Sequence, residues 1–309
     1  MIAYLEQWAF RPEGKMKIYV VDAFAEELFK GNQAGVVLLD KEEAFPPESF
    51  MKSLAAELKH SETAFVKQTG EDMFDIRYFT PEAEVELCGH ATIASFAAMR
   101  DTGRIHIGEY RAGTLAGELA VSLERRMVWM DMAEPEYRYE FSARERGQLY
   151  DAYGLDLSSA PGNLVPGIVS TGLCDILLPV KDRESLYKAV MDQERVAALS
   201  KQYRAVGIHM FCLGGSDGGT AYCRNFAPLV GIPEESATGT SNGALTYYLR
   251  RNGIIEDGAV NTFVQGETMG KESRIYTRIT GEKIRVGGSG KLCMECSLCA
   301  GECPWTIGD

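Results

Sequence analysis

One pattern occurs twice along this chain, and it constrains the fold more than any single motif. Arg77-Tyr78-Phe79-Thr80-Pro81 returns as Arg224-Asn225-Phe226-Ala227-Pro228. Downstream, Cys88-Gly89-His90-Ala91 and the run to Arg100 lie over Thr238-Gly239-Thr240-Ser241 and the run to Arg250. The offset is 147 residues at the first piece and 150 at the second, so three residues are inserted between them. Each copy predicts a strand, a proline, a short loop, a glycine turn and a helix. Two such units in the same order and nearly the same register point to a duplicated domain. Halves of about 120 to 150 residues also match ordinary domain sizes.

Hydrophobic periodicity fills in the units. Residues 17–24 and 35–39 are apolar and β-branched, with a turn at Gly31-Asn32 between them. Residues 47–59 place Phe50, Leu54, Ala55 and Leu58 on one helical face. Strands are predicted at 63–66 and 73–79, a small-residue helix at 90–100, and a hairpin or meander over 114–132. The second half predicts helices at 143–153, 183–201 and 240–251, with strands near 168–178, 207–213 and 220–226 and onward to 286. Short strands mixed with two apolar helices predict an α+β protein rather than a βαβ series.

Composition removes several function classes. Lys and Arg number 32 against 44 Asp and Glu, a net charge of −12, which argues against a nucleic-acid partner. The apolar stretches are far shorter than the roughly 20 residues that span a bilayer, so no membrane partner is expected. Glu6, Arg11 and Glu13 interrupt the first fifteen residues, which do not resemble a signal peptide. The expectation is a cytoplasmic protein.

A helix that begins at a glycine offers unpaired N–H groups and the positive end of its dipole. Gly89 and Gly239 lack the side chain that would keep a ligand off that backbone. If the halves pack about a pseudo-twofold axis, the two starts face each other and suit a small carboxylate-bearing substrate. Thr238, Thr240, Ser241 and His90 would add hydrogen bonds. The helix dipole should favour a neutral His90. Glu62, at the mouth of the apolar strand 64–66, is the candidate acid/base, its pKa raised by partial burial. Glu235 is the other acid within range. Cys88 is either a buried structural thiol or a proton acceptor of its own. His60, His106 and His209 have no comparable setting, and no spacing suggests a catalytic metal.

Four of the eight cysteines crowd the C-terminus. Cys293, Cys296, Cys299 and Cys303 have the spacing of a ferredoxin run, though a single run does not assemble two clusters. They are candidate ligands for an iron–sulfur cluster or zinc in the tail. This leaves an alternative function: a non-catalytic metabolite-binding or redox-linked protein whose tail carries a metal.

The sequence resembles the phenazine-biosynthesis PhzF-like isomerase family of the diaminopimelate epimerase-like superfamily. The resemblance is carried by Val21-Asp22-Ala23-Phe24, Gly31-Asn32, Ser61-Glu62-Thr63-Ala64-Phe65-Val66, Phe79-Thr80-Pro81, the run from Glu84 to Thr92, Ala237-Thr238-Gly239, Gln265-Gly266 and Met269-Gly270. It implies two pseudo-symmetric domains, each a curled, mostly antiparallel sheet around a central helix, with the active site between them. The corresponding divisions are an extension at 1–15, domains at 16–136 and 137–288, and a Cys-rich tail at 289–309. It further implies catalysis without a cofactor, Glu62 as proton shuttle, His90 as a substrate hydrogen-bonder and a homodimer. Cys88, Gly89, Thr238, Gly239 and Thr240 would line the substrate. The family's acid before the second turn is aspartate followed by proline; here Glu235-Ser236 stands in its place, and Gln33 replaces the proline after Gly-Asn. The superfamily's cysteine-pair racemisation needs a thiol at each turn, and Thr238 does not supply the second.

Overall fold

Two barrels form because the chain runs through the same strand order twice. The computed structural model describes residues 16–215 and 218–298. In the first half the strands are β1 (Lys17–Ala23), β2 (Asn32–Leu38), β3 (Glu62–Gln68), β4 (Met73–Phe79), β5 (Glu84–Val85), β6 (Gly108–Thr114), β7 (Gly117–Glu124) and β8 (Met127–Asp131). The second half has β9 (Glu136–Glu140), β10 (Gly167–Ser170), β11 (Cys174–Pro179), β12 (Gly207–Leu213), β13 (Ala221–Ala227), β14 (Ile232–Glu235), β15 (Val260–Gln265), β16 (Ser273–Thr280) and β17 (Lys283–Ser297). From β1 through β4 to β6, β7 and β8 the pairings run antiparallel, parallel, antiparallel, parallel, antiparallel, antiparallel. From β10 through β13 to β15, β16 and β17 they run the same way. The fold is the expected α+β arrangement of curled, mostly antiparallel sheets.

Each barrel wraps one helix. α1 (Glu48–Leu58) lies outside the first barrel, where Phe50, Met51, Leu54 and Ala55 pack on Val37 and Phe65. α2 (Gly89–Asp101) is buried on every side from His90 to Met99, as a helix threaded through a sheet must be. Its hydroxyls are bonded within the protein: Thr92 Oγ1 reaches Cys88 O and Tyr78 OH, and Ser95 Oγ donates to Ala91 O. α3 (Ala143–Asp151), α4 (Arg183–Lys188) and α5 (Gln193–Tyr203) cover the second barrel's outer face, with Leu149, Leu186 and Val196 packed on Ile176, Ile208 and Met210. α6 (Gly239–Arg251) fills that barrel's centre.

The repeated arginines are structural. Arg77 forks onto Glu84 at 2.7 and 2.6 Å, and Arg224 onto Glu234 at 2.8 and 2.9 Å. Each guanidinium also lies over the phenylalanine two residues on, Phe79 or Phe226. In both halves this clamp fixes the strand leading to the glycine turn.

The second half lends the end of its last strand to the first barrel, so the division at 288 is not clean. β8 and β17 pair antiparallel where the halves meet, from Arg285 opposite Asp131 to Ser289 opposite Met127. Beyond that crossing, β17 runs beside β1 as far as Ser297 opposite Lys17 and closes the first barrel. β9, which follows β8, runs beside β10 of the second barrel. Residues 289–297, assigned above to a Cys-rich tail, are therefore barrel strand, because β1 needs a partner along its free edge. Glycines make the crossing tight enough. A Cβ on Gly288 would lie 2.3 Å from Phe24 Cδ1, and one on Gly290 2.5 Å from Ala97 Cβ.

Candidate active site

Both helix starts have the same geometry. Cys88 precedes α2 at φ −140°, ψ 113°, and Thr238 precedes α6 at φ −130°, ψ 103°; neither side chain caps its helix. The first-turn N–H groups are therefore left without a conventional side-chain cap at either start. Met130 lies between the turns: a Cβ would fall 2.9 Å from its Cε at Gly89 and 3.2 Å at Gly239. Met130 thus occupies the space left by both glycines, which accounts for their small size as well as any approach of a ligand does.

Residues from the two halves converge on His90, which is only 4% exposed. Glu62, the first residue of β3, brings Oε2 to 3.2 Å from His90 Nε2. Ser61 Oγ lies 3.2 Å from the same nitrogen, and Cys88 Sγ lies 3.4 Å from Nδ1. From the second half, Glu235 Oε1 stands 3.7 Å from Nδ1. The imidazole is thus flanked by two carboxylates, one from each half.

That flanking reverses two expectations. Burial lowers the pKa of His90, but contacts with Cys88 and Glu62 outweigh it and hold the imidazole well above its ordinary value. The dipole argument for a neutral ring omitted these neighbours. Burial raises Glu62, but the facing His90, with Ser61 and Cys88, brings it below the usual carboxylate range. Glu235 moves the other way: burial raises it more than His90, Thr238 and Asn32 lower it. Burial, helped by the Glu62 charge, pushes the Cys88 thiol up to about 11, which keeps it protonated near neutrality. Two carboxyl groups with opposite shifts on either side of one imidazole form an acid/base arrangement.

Glu235 is held in place by Thr238 and by two groups that the sequence did not single out for the site, Asn32 and Gln265. Asn32 Nδ2 donates to Glu235 Oε1 at 3.0 Å and to Ala237 O at 3.1 Å. Thr238 Oγ1 donates to Glu235 Oε2 at 2.6 Å, and Gln265 Nε2 to the Glu235 carbonyl at 2.7 Å. Asn32 and Gln265 both fall within motifs that carried the family resemblance, which was the signal available for them. Thr240, half-buried in the first turn of α6, accepts from Thr171 through its carbonyl. Gly31 ties the loop after β1 to the second half: its carbonyl accepts from Ser236 Oγ and its N–H donates to Glu272 O. At φ +73° a side chain there would meet Ala23 O at 2.2 Å.

The remaining candidates lie apart. His106 is exposed, and His209 is a core residue bonded through Nδ1 to Asn225, its pKa lowered to about 4 by burial. His60 is half-buried beside the site. Of the four terminal cysteines, Cys299 and Cys303 lie outside the described residues. Cys293 donates to Asp22 Oδ2 at 2.6 Å and Cys296 to Ile18 O at 3.4 Å. An extended strand separates residues three apart by roughly 10 Å, so β17 does not gather these two thiols at one point.

The architecture has known counterparts. A PhzF-family phenazine biosynthesis protein from Bacillus anthracis, 23% identical, superposes with a TM-score of 0.82 over 93% of this chain and 99% of that one. The Phenazine biosynthesis-like protein family matches residues 21–296, and the chain belongs to that family. An uncharacterized isomerase from Deinococcus radiodurans is 34% identical over 87% of this chain and 90% of its own length. One from Clostridium acetobutylicum is 29% identical over 92% and 98%. Among the described residues, no helix is long and apolar enough to cross a membrane.

Proposed function

We propose that this protein is an isomerase that moves a proton on a small carboxylate-bearing substrate, with Glu62 as the single acid/base and no organic cofactor. The observation that carries the reading is the Glu62–His90–Glu235 line, assembled from both halves and bordered by two uncapped helix starts. The substrate carboxylate binds first-turn N–H groups of α2 or α6, where the helix dipoles favour an anion. Ionised Glu62 takes a proton from the carbon beside the carboxylate or a conjugated double bond. Charge then develops on the conjugated system, where His90 donates a hydrogen bond to it, while Glu235 holds the imidazole from the other half. Glu62 returns the proton at another carbon of the same face. Cys88, Gly89, Thr238, Gly239 and Thr240 line the substrate. The names of the related proteins, uncharacterized isomerases, agree with this class of reaction.

The test is Glu62→Gln, assayed by deuterium uptake from D₂O into candidate unsaturated carboxylates followed by NMR. The variant should lose about 10² to 10⁴ in exchange rate, the usual loss for a general acid/base. Ligand affinity should stay near that of the wild type. Exchange at the wild-type rate in the variant would remove Glu62 from the role.

A further inference from the structure

The same corner of the first half has a second chemical capacity. Glu62, Cys88 and His90 each bring one donor atom within 4.8 Å of the other two. Carboxylate oxygen, thiolate sulfur and imidazole nitrogen are the ligand types that zinc takes. Zinc bonds of about 2.3 Å to sulfur and 2.0–2.1 Å to nitrogen and oxygen place tetrahedral donors about 3.6 Å apart for S···N and about 3.3 Å for N···O. Through His90 Nε2 the corresponding separations are 3.9 Å to Cys88 Sγ and 3.2 Å to Glu62 Oε2. These two separations are within a few tenths of an ångström of those values, and the third, thiol to carboxylate, is within 4.8 Å.

We propose that Glu62, Cys88 and His90 form a site for a thiophilic divalent cation, zinc above all, and that its occupation shuts off proton transfer. Binding displaces the thiol proton and the imidazolium proton to solvent, and water completes the coordination. The lone pair that Glu62 would use on a C–H bond is then held by the metal. The cation is an inhibitor of this site, not its cofactor. Binding rests on donor geometry alone, whereas the loss of activity rests on the function proposed above.

Thiols in the terminal run would compete for added metal, so the experiment uses the full chain with Cys293→Ser, Cys296→Ser, Cys299→Ser and Cys303→Ser. Zinc chloride is titrated calorimetrically, and Co²⁺ is followed by its near-ultraviolet thiolate charge-transfer band. One Zn²⁺ per chain and a clear thiolate band are expected. A further Cys88→Ser change should abolish the band and weaken zinc by more than about 100-fold, beyond what outer-sphere losses cost. Glu62→Gln provides a second variant should Cys88→Ser fold poorly; it should weaken zinc while keeping the band. Absence of stoichiometric binding, or binding unchanged by both variants, overturns the site. Deuterium exchange should stop on zinc loading and return with EDTA; a loaded chain that still exchanges overturns the inhibition. Because the band is read without turnover, an active enzyme with no band rejects this inference alone. A band in a chain that exchanges no carboxylate leaves the site standing and counts against the proposed isomerase.

Discussion

The rung of the first barrel that carries Glu62 has a counterpart in the second. Phe79 and Phe226 are matched by the repeat, and they pair with Thr63 and Ile208, so Glu62 corresponds to Gly207. Glu62 stands opposite Ala34, and Gly207 stands opposite Asp175. The second barrel thus also holds a carboxyl group on this rung, displaced by one strand. Asp175 is 3% exposed and accepts from Ser241 Oγ at 2.7 Å. Burial, with a smaller push from Glu235, raises it to about 7 against the opposing Ser241 bond. An unfolded aspartate titrates near about 3.9, so the folded state binds the proton more tightly. That contribution to stability is complete below about pH 4 and is lost as pH rises through about 7. Asp175→Asn removes the titration. Urea unfolding between pH 4 and 8 should show wild type losing stability relative to the variant by up to about 1.4 kcal/mol per pH unit, levelling off above pH 7. A constant difference across that range would show that Asp175 does not titrate in this way. At this scale the sequence was only partly legible. Glu62, His90 and Glu235 stand out because the proposed chemistry needs those residue types near the glycine turns. The protonation of His90 depends on Cys88 and on Glu62, which sits on a strand of the same half, an approach that no local pattern records.

At the scale of elements, the repeat was legible because each part of it has a mechanical duty. The arginine clamps the strand, the proline ends it, and the glycine admits Met130 beside the helix start. The two clamps are unequal, however. Arg77 is 28% exposed at its side chain and bonds Glu84. Arg224 is 10% exposed and also donates through Nη1 to the carbonyls of Leu186 and Ala189. Removing Arg224 leaves a mostly buried glutamate and two buried carbonyls without their donors. Arg224→Met should destabilise by about 3–5 kcal/mol, the range for breaking a buried pair. Arg77→Met, with water nearer at hand, should lose about 1–3 kcal/mol. Denaturant midpoints of the two variants settle the order, and an Arg77 variant as unstable as the Arg224 one would contradict the structure. The last strand was not legible in the same way. Residues 290–297 read Gly-Lys-Leu-Cys-Met-Glu-Cys-Ser, with none of the β-branched residues that mark β1 or β2. Cysteine spacing dominated that stretch, while its strand conformation comes from the free edge of β1, nearly the whole chain away.

For the whole molecule, strand exchange decides what can fold. The second half hands the end of β17 to β1 of the first barrel, and the start of β17 pairs with β8 of the first half, so each barrel depends on a strand from outside its own stretch of sequence. The site has the same dependence, since Glu62 and His90 come from one half and Glu235 from the other. A duplicated chain with separable domains would keep a folded half after cleavage between them. Here a fragment of residues 16–135 lacks the strand that covers β1, and a fragment of 136–298 lacks the β8 partner of β17. Each exposes strand edges and the apolar rim beside them, the condition that favours aggregation over a stable monomer. Expressed separately, neither fragment should give a cooperative unfolding transition as a monomer. Expressed together, they should associate one to one, because the β8–β17 crossing and the strand on β1 re-form across the break. Size-exclusion chromatography with circular dichroism during urea titration distinguishes the outcomes. A first fragment that unfolds cooperatively alone would mean that the barrel closes without β17, and the exchange would then be a feature of the fold's shape rather than of its stability.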